Sequence, residues 1–259
     1  MKLKIRILLY KLQGLYVTCP LSHPLCGILT IESGLASGVY DTLGVHGLWP
    51  ETGKYGDSIE VTPLDKSFDK EGVLNGPASR EGCSCWAELT GGEPTFAEHE
   101  WTKHGYEAGA KDSVNYFNVA CDLATNGADG GPVGVMKKAI KAGATWDELQ
   151  KVMKSDANYG RFVYLFDQEH DQVEYGACAT CSGSDGKSAP CSWELCELKP
   201  GPVPPAPGPA PDTCEPGEHG PSCKTDSDCT DVPKCVRCAH SGKEALAAVH
   251  MYNYWRDSV

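Results

Sequence analysis

The sequence predicts an α+β fold, an antiparallel β-sheet packed with helices, followed by a small cysteine-rich C-terminal module. Three observations carry that prediction. Stretches of helical periodicity alternate with stretches rich in β-branched and aromatic residues. A proline run from Pro200 to Pro211 interrupts the chain, in a composition that favours extended polyproline II over helix or sheet ladder. Fourteen cysteines crowd into segments rich in Gly, Pro and Ser, as they do where disulfides form in an oxidising compartment.

In chain order, Ile5 to Val17 reads as a first β-strand, with a truncated leader as the alternative because Lys2, Lys4 and Arg6 precede the apolar stretch. Asp112 to Ala124 is an amphipathic helix with Val114, Phe117, Ala120 and Cys121 at helical spacing and Asp112 or Ser113 as its cap. Val133 to Lys141 is a second helix. Thr145-Trp-Asp-Glu has the form of a capping box and opens a third, running into Leu149, Val152 and Met153. Arg161 to Phe166 and Gln172 to Tyr175 alternate as a hairpin or adjacent strands would, and Thr180 to Pro190 reads as a surface loop tied by neighbouring cysteines. The expected domains are therefore 1–199, a linker at 200–212, a cystine-stapled module at 213–241 and a tail at 242–259. The module holds Cys214, Cys223, Cys229, Cys235 and Cys238 and almost no aliphatic core.

Composition limits what the chain does. No run of eighteen apolar residues could span a bilayer. A formal charge of −12 at pH 7 excludes an extended basic face for gripping nucleic acid. Protonating all eight histidines takes that charge from −12 to −4, so chemistry on a polyanion should prefer acid.

Two segments concentrate catalytic residue types, Val45-His-Gly-Leu-Trp-Pro-Glu51 and Phe96-Ala-Glu-His-Glu-Trp-Thr-Lys-His-Gly105. If Glu98 to Gly105 is helical, Glu100 and His104 share one face, with Lys103 beside them and His99 at the flank. Cleaving RNA through its own 2′-hydroxyl needs a base for that proton, an acid for the departing 5′-oxygen and positive charge for the phosphorane oxygens. Two imidazoles and a lysine meet those needs without a cofactor, and the required 2′-hydroxyl would spare DNA.

The two segments resemble the paired motifs of the ribonuclease T2 family of secreted, vacuolar and lysosomal acid ribonucleases: His-Gly-Leu-Trp-Pro matches the first, and His-Glu-Trp-x-Lys-His-Gly the second. The likeness extends over about Cys19 to Cys196, with Tyr116 to Leu123 similar to the family's helix after the second motif. It implies a secreted or lysosome/vacuole location, a monomer, single-stranded RNA as substrate, and no metal or cofactor. His46 would be the general acid, His104 the general base, Glu100 and Lys103 transition-state stabilisers, and His99 a phosphate ligand. Trp49 would stack on a base, with Glu51 hydrogen-bonding beside it where the family commonly has aspartate. Products would be a 2′,3′-cyclic phosphate and then a 3′-phosphate. The resemblance also implies a Cys19–Cys26 bridge and a bridge from Cys178 to Cys191 or Cys196. One departure stands out: Glu107 occupies the position of a family cysteine, and no cysteine lies between Pro50 and Gly82 to partner one. Cys83, Cys85 and Cys121 are the candidates for a substitute.

Plainer roles compete with these. Trp101 reads as core and Trp49 as either core or platform, while His23, His170, His219, His240 and His250 read as surface residues. The spacing of five between His99 and His104 does not suit a zinc helix, and Cys178-x-x-Cys181 and Cys235-x-x-Cys238 fit structural disulfides better than metal or redox sites. Lys137-Lys138 reads as a solvated helix face. Gly220 to Cys229 resembles carboxypeptidase-inhibitor-like knottins, so an inhibitor with an inert scaffold is the non-enzymatic alternative.

Overall fold

The computed structural model describes residues 16–35, 42–53, 55–84, 86, 95–182 and 188–201. Most of the Ile5–Val17 segment, Cys85, His219, His240, His250 and the module, tail and most of the linker lie outside the described residues.

The fold is α+β. Its main sheet contains β2 (Leu25–Glu32), β3 (Gly44–Pro50), β4 (Val163–Asp167), β5 (Gln172–Ser182) and β6 (Ser188–Leu195). The order is β3-β2-β5-β4, and β6 pairs with the far half of β5, all antiparallel. A two-stranded ladder joins β1 (Val17–Thr18) to β7 (Lys199–Pro200), and the Gly201 amide donates to the Tyr16 carbonyl. The start of the proline run is thus ladder-paired, contrary to expectation. Pro200 lacks an N–H but sits where an edge ladder tolerates that loss.

Among the described residues, five helices accompany the sheet: α1 (Lys70–Asn75), α2 (Phe96–Lys103), α3 (Ser113–Thr125), α4 (Gly131–Lys141) and α5 (Trp146–Ser155). Asp112 caps α3 by accepting from the Asn115 amide, and Thr145 with Glu148 forms the expected capping box of α5. In α5 the inward pair is Leu149 and Met153, whereas Val152 faces out at 38% exposure. Of the expected Thr180–Pro190 loop, Thr180–Ser182 end β5 and Ser188–Pro190 begin β6, bridged by Cys181–Cys191, and residues 183–187 lie outside the described residues. Short side chains with two flanking cysteines disguise strand as loop.

One face of the sheet, with Leu29, Ile31, Val45, Leu48, Val173, Tyr175 and Ala177, packs on Tyr116, Phe117, Ala120 and Ala124 of α3 and on Met136, Leu149 and Met153. Against the other face, Val17, Cys26, Ile28, Cys178 and Leu198 form a smaller cluster. Cys19–Cys26 and Cys178–Cys196 are bridged, and Cys83–Cys121 ties the segment after α1 to α3.

The edge strand β3 has its outer main chain satisfied by a side chain. Tyr116 Oη donates to the Leu48 carbonyl at 2.8 Å and accepts from the Leu48 amide at 3.3 Å, all three groups being buried. Tyr116→Phe would strand both groups, and thermal unfolding should show a loss of about 1–3 kcal/mol.

Candidate active site

A β-bulge presents the first histidine. Thr30 pairs with Gly47 and Ile31 with Val45, so His46 is the extra residue between them. Val45 and Leu48 both enter the core although they are three apart, an odd spacing that a regular strand cannot provide and one extra residue can. The bulge turns His46 toward α2 and frees its carbonyl, which accepts from Trp86 Nε1 at 2.8 Å.

Helix α2 supplies the second group. Thr95 caps it by accepting from the Glu98 amide. The helix ends at Lys103, and His104 follows as its C-cap with its amide bonded to the Glu100 carbonyl at 3.0 Å, preserving the i,i+4 relation. A 3-10 turn over Gly105–Glu107 comes next. Both motif glycines answer to close approach: a Cβ at Gly47 would collide with the Glu100 carboxylate, and one at Gly105 with the Trp101 ring. Trp101 is fully buried, with Nε1 donating to the Lys66 carbonyl, and is core as expected.

Glu100 is the junction. It is 1% exposed, its Oε1 lies 3.4 Å from His46 Nε2, and its Oε2 accepts from Trp49 Nε1 at 3.0 Å. The half-buried Trp49 stacks on His104 at 5.3 Å and meets His46 edge-on at 5.0 Å, while Phe96 closes another side of His46 at 5.0 Å. Lys103 and His99 are half-buried on the same helix and close enough for their charges to act on this group. The structure therefore brings His46, Trp49, Glu100 and His104 into contact, with Lys103 and His99 alongside. Glu51 lies just beyond β3, fixed through its main chain by the Cys26 carbonyl and the Ser58 amide.

Electrostatics separates the two imidazoles. Burial alone would lower the His46 pKa, but Glu100 and then Glu32 favour its cation and raise it to about 9. His104 moves the other way: burial lowers it, Glu100 opposes, and the charges of Lys103 and the other histidines leave it at about 4. Burial would raise Glu100, yet the positive charge of His46 and His104 holds it at about 2. Burial lowers Lys103 as well, against the pull of Glu100, and it also lowers His99.

Two site residues escape sequence inspection. Glu32 Oε1 lies 2.5 Å from His46 Nδ1, and Gln172 Nε2 donates to that same oxygen at 2.8 Å. The available signal for Glu32 is a carboxylate closing a strand in which all eight residues are buried. Elsewhere, His23 and His170 are half-buried and paired with Glu194 and Asp167, so they are less free than surface residues would be. Lys137 and Lys138 are exposed and pair with Glu81 and Asp129.

The chain belongs to the ribonuclease T2 family. The profile described as the Ribonuclease T2 family matches residues 17–160, which hold both motif segments, β1 to β3 and the five helices described above. That family membership makes the protein an RNA endonuclease. No curated protein and no solved structure matches the chain. No helix among the described residues is long and apolar enough to cross a membrane.

The dominant role of Glu100 is open to direct measurement. In Glu100→Gln, the His46 imidazole should titrate well below about 9, moving toward its ordinary value near 6.5, as followed by NMR.

Proposed function

We propose that the protein cleaves single-stranded RNA by metal-independent acid–base catalysis, with His46 as the acid and His104 as the base. The observation that carries this is one buried carboxylate, Glu100, set against His46 and, through Trp49, against His104, with its buried charge raising the His46 pKa while burial lowers that of His104. Neutral His104 takes the 2′-hydroxyl proton, and the 2′-oxygen attacks phosphorus. His46 gives its Nε2 proton to the departing 5′-oxygen, leaving a 2′,3′-cyclic phosphate. Water then opens the ring to a 3′-phosphate with the two roles exchanged.

Lys103 and Glu100 stabilise the transition state, Lys103 by its charge on the phosphorane oxygens and Glu100 by holding the acid in its charged form. His99 binds the phosphate. Trp49 has part of its ring exposed, and a base would extend its stack with His104, with Glu51 as the neighbouring hydrogen-bonding group. Four disulfides among the described residues support an oxidising location, secretion or a lysosome-like or vacuolar lumen. The protein acts as a monomer in this scheme.

Cleavage of polymeric RNA should persist in EDTA, and His46→Phe and His104→Phe should each lose about 10²–10⁴-fold in kcat while still unfolding cooperatively. Abolition by EDTA, or full activity in either variant, would refute the mechanism. The pH profile of kcat/KM should rise through about 4 as His104 becomes a free base and fall through about 9 as His46 loses the proton it must give. Within that window the optimum should lie on the acid side, because protonating the remaining histidines relieves repulsion of RNA by a chain of formal charge −12.

A further inference from the structure

We propose that Glu32, held by Gln172, is a positioning residue that keeps the exchangeable proton of His46 on Nε2 by binding the Nδ1–H. This rests on the assignment of His46 as the proton donor and adds a residue from a different strand to it. Glu32 lies on β2 and Gln172 on β5, directly opposite one another in the ladder. Both are buried, at 0% and 4% exposure. Their shared oxygen, Glu32 Oε1, lies 2.5 Å from His46 Nδ1, while Gln172 Nε2 is 3.4 Å from that nitrogen.

The geometry decides which nitrogen is active. A carboxylate oxygen can only accept from Nδ1, so the proton on Nδ1 stays in place through the cycle. Nε2, on the Glu100 side, is then the nitrogen that gives a proton to the 5′-oxygen and recovers one from water in the second step. If Nδ1 were the exchanging nitrogen, its proton would be lost into a buried pocket and not to the substrate. After donation the neutral imidazole is left as the Nδ1–H tautomer, which Glu32 stabilises, so the acid returns to its starting orientation. Gln172 matters because a second donor on Oε1 fixes the carboxylate before the imidazole is charged. Burial raises the Glu32 pKa, while His46 and Gln172 oppose that rise.

The charged groups facing this pair are known from each neighbouring element. Glu100 and His99 from α2 and His104 just after it interact with His46, Lys103 acts on Glu100, His99 and His104, and Asp171 just before β5 faces Glu32.

Glu32→Gln and Gln172→Ala test the idea with two independent readings. In the first, ¹⁵N NMR of His46 above its pKa should show the Nδ1–H tautomer alone in the parent and a mixture of tautomers in Glu32→Gln. In the second, Glu32→Gln should lower kcat by about ten- to a hundred-fold with KM little changed, and the alkaline limb of the pH profile should move to lower pH because one carboxylate no longer favours the His46 cation. Gln172→Ala retains the carboxylate and should show a smaller fall with partial tautomer mixing, which serves if Glu32→Gln does not fold. An unchanged tautomer with an unchanged alkaline limb would overturn the proposal, even if activity fell. The NMR reading does not depend on RNA cleavage: an inactive parent protein whose tautomer still responds to Glu32 would defeat the ribonuclease mechanism and leave the coupling standing.

Discussion

Glu100 lies almost out of water between a strand and a helix, and the site is built around its charge. One carboxylate oxygen faces His46 and the other takes the indole N–H of Trp49, whose ring in turn lies on His104. A buried carboxylate is costly unless its partners are close and well aligned. Here the partners are the groups proposed to act on RNA, so in that reading the compensation and the chemistry are one arrangement. Gly47 makes it possible, since any side chain there would displace the carboxylate. Strand and helix are thereby held at a distance set by an ion pair and a glycine.

One face of the sheet builds the larger core, and the other carries the polar groups of the candidate site beside a smaller apolar cluster. Apolar residues from β2, β3 and β5 pack on α3 and α5 to form the larger core. The other face places Glu32, Gln172 and the bulged His46 together, polar groups that a core could not accept singly. β5 is buried along most of its length because β2 lies on one edge while β4 and β6 share the other. A rigid central strand is a suitable mount for Gln172. That strand lies past the end of the family match at residue 160, so part of the support for His46 comes from chain that the match does not include.

The helices were legible because capping residues and 3.6-residue periodicity are local properties: Asp112, Thr145 and Glu148 act in the structure as their spacing suggests. The motif histidines were legible for a similar reason, as Glu100 and His104 need only four residues of continuous backbone to meet. What could not be read was long-range. Glu32 is fourteen residues from His46 in sequence and Gln172 is 126, and only the β3-β2-β5 order brings them to one imidazole. The bulge was hidden because Val45 and Leu48 break strict alternation, a pattern that argues against a strand until the extra residue is seen. The short α1 also went unseen, since six residues are too few for periodicity to show.

The family cysteine missing at Glu107 has a structural counterpart in Thr52, whose hydroxyl donates to the Glu107 carboxylate soon after the first motif. Close by, the Gly109 amide donates to the Val61 carbonyl at 2.8 Å. This contact between the segments that follow the two motifs uses no sulfur. A thiol reductant has no bond to cut in the Thr52–Glu107 contact itself, whereas the neighbouring Gly109 carbonyl takes the amide of Cys191, half of the Cys181–Cys191 disulfide.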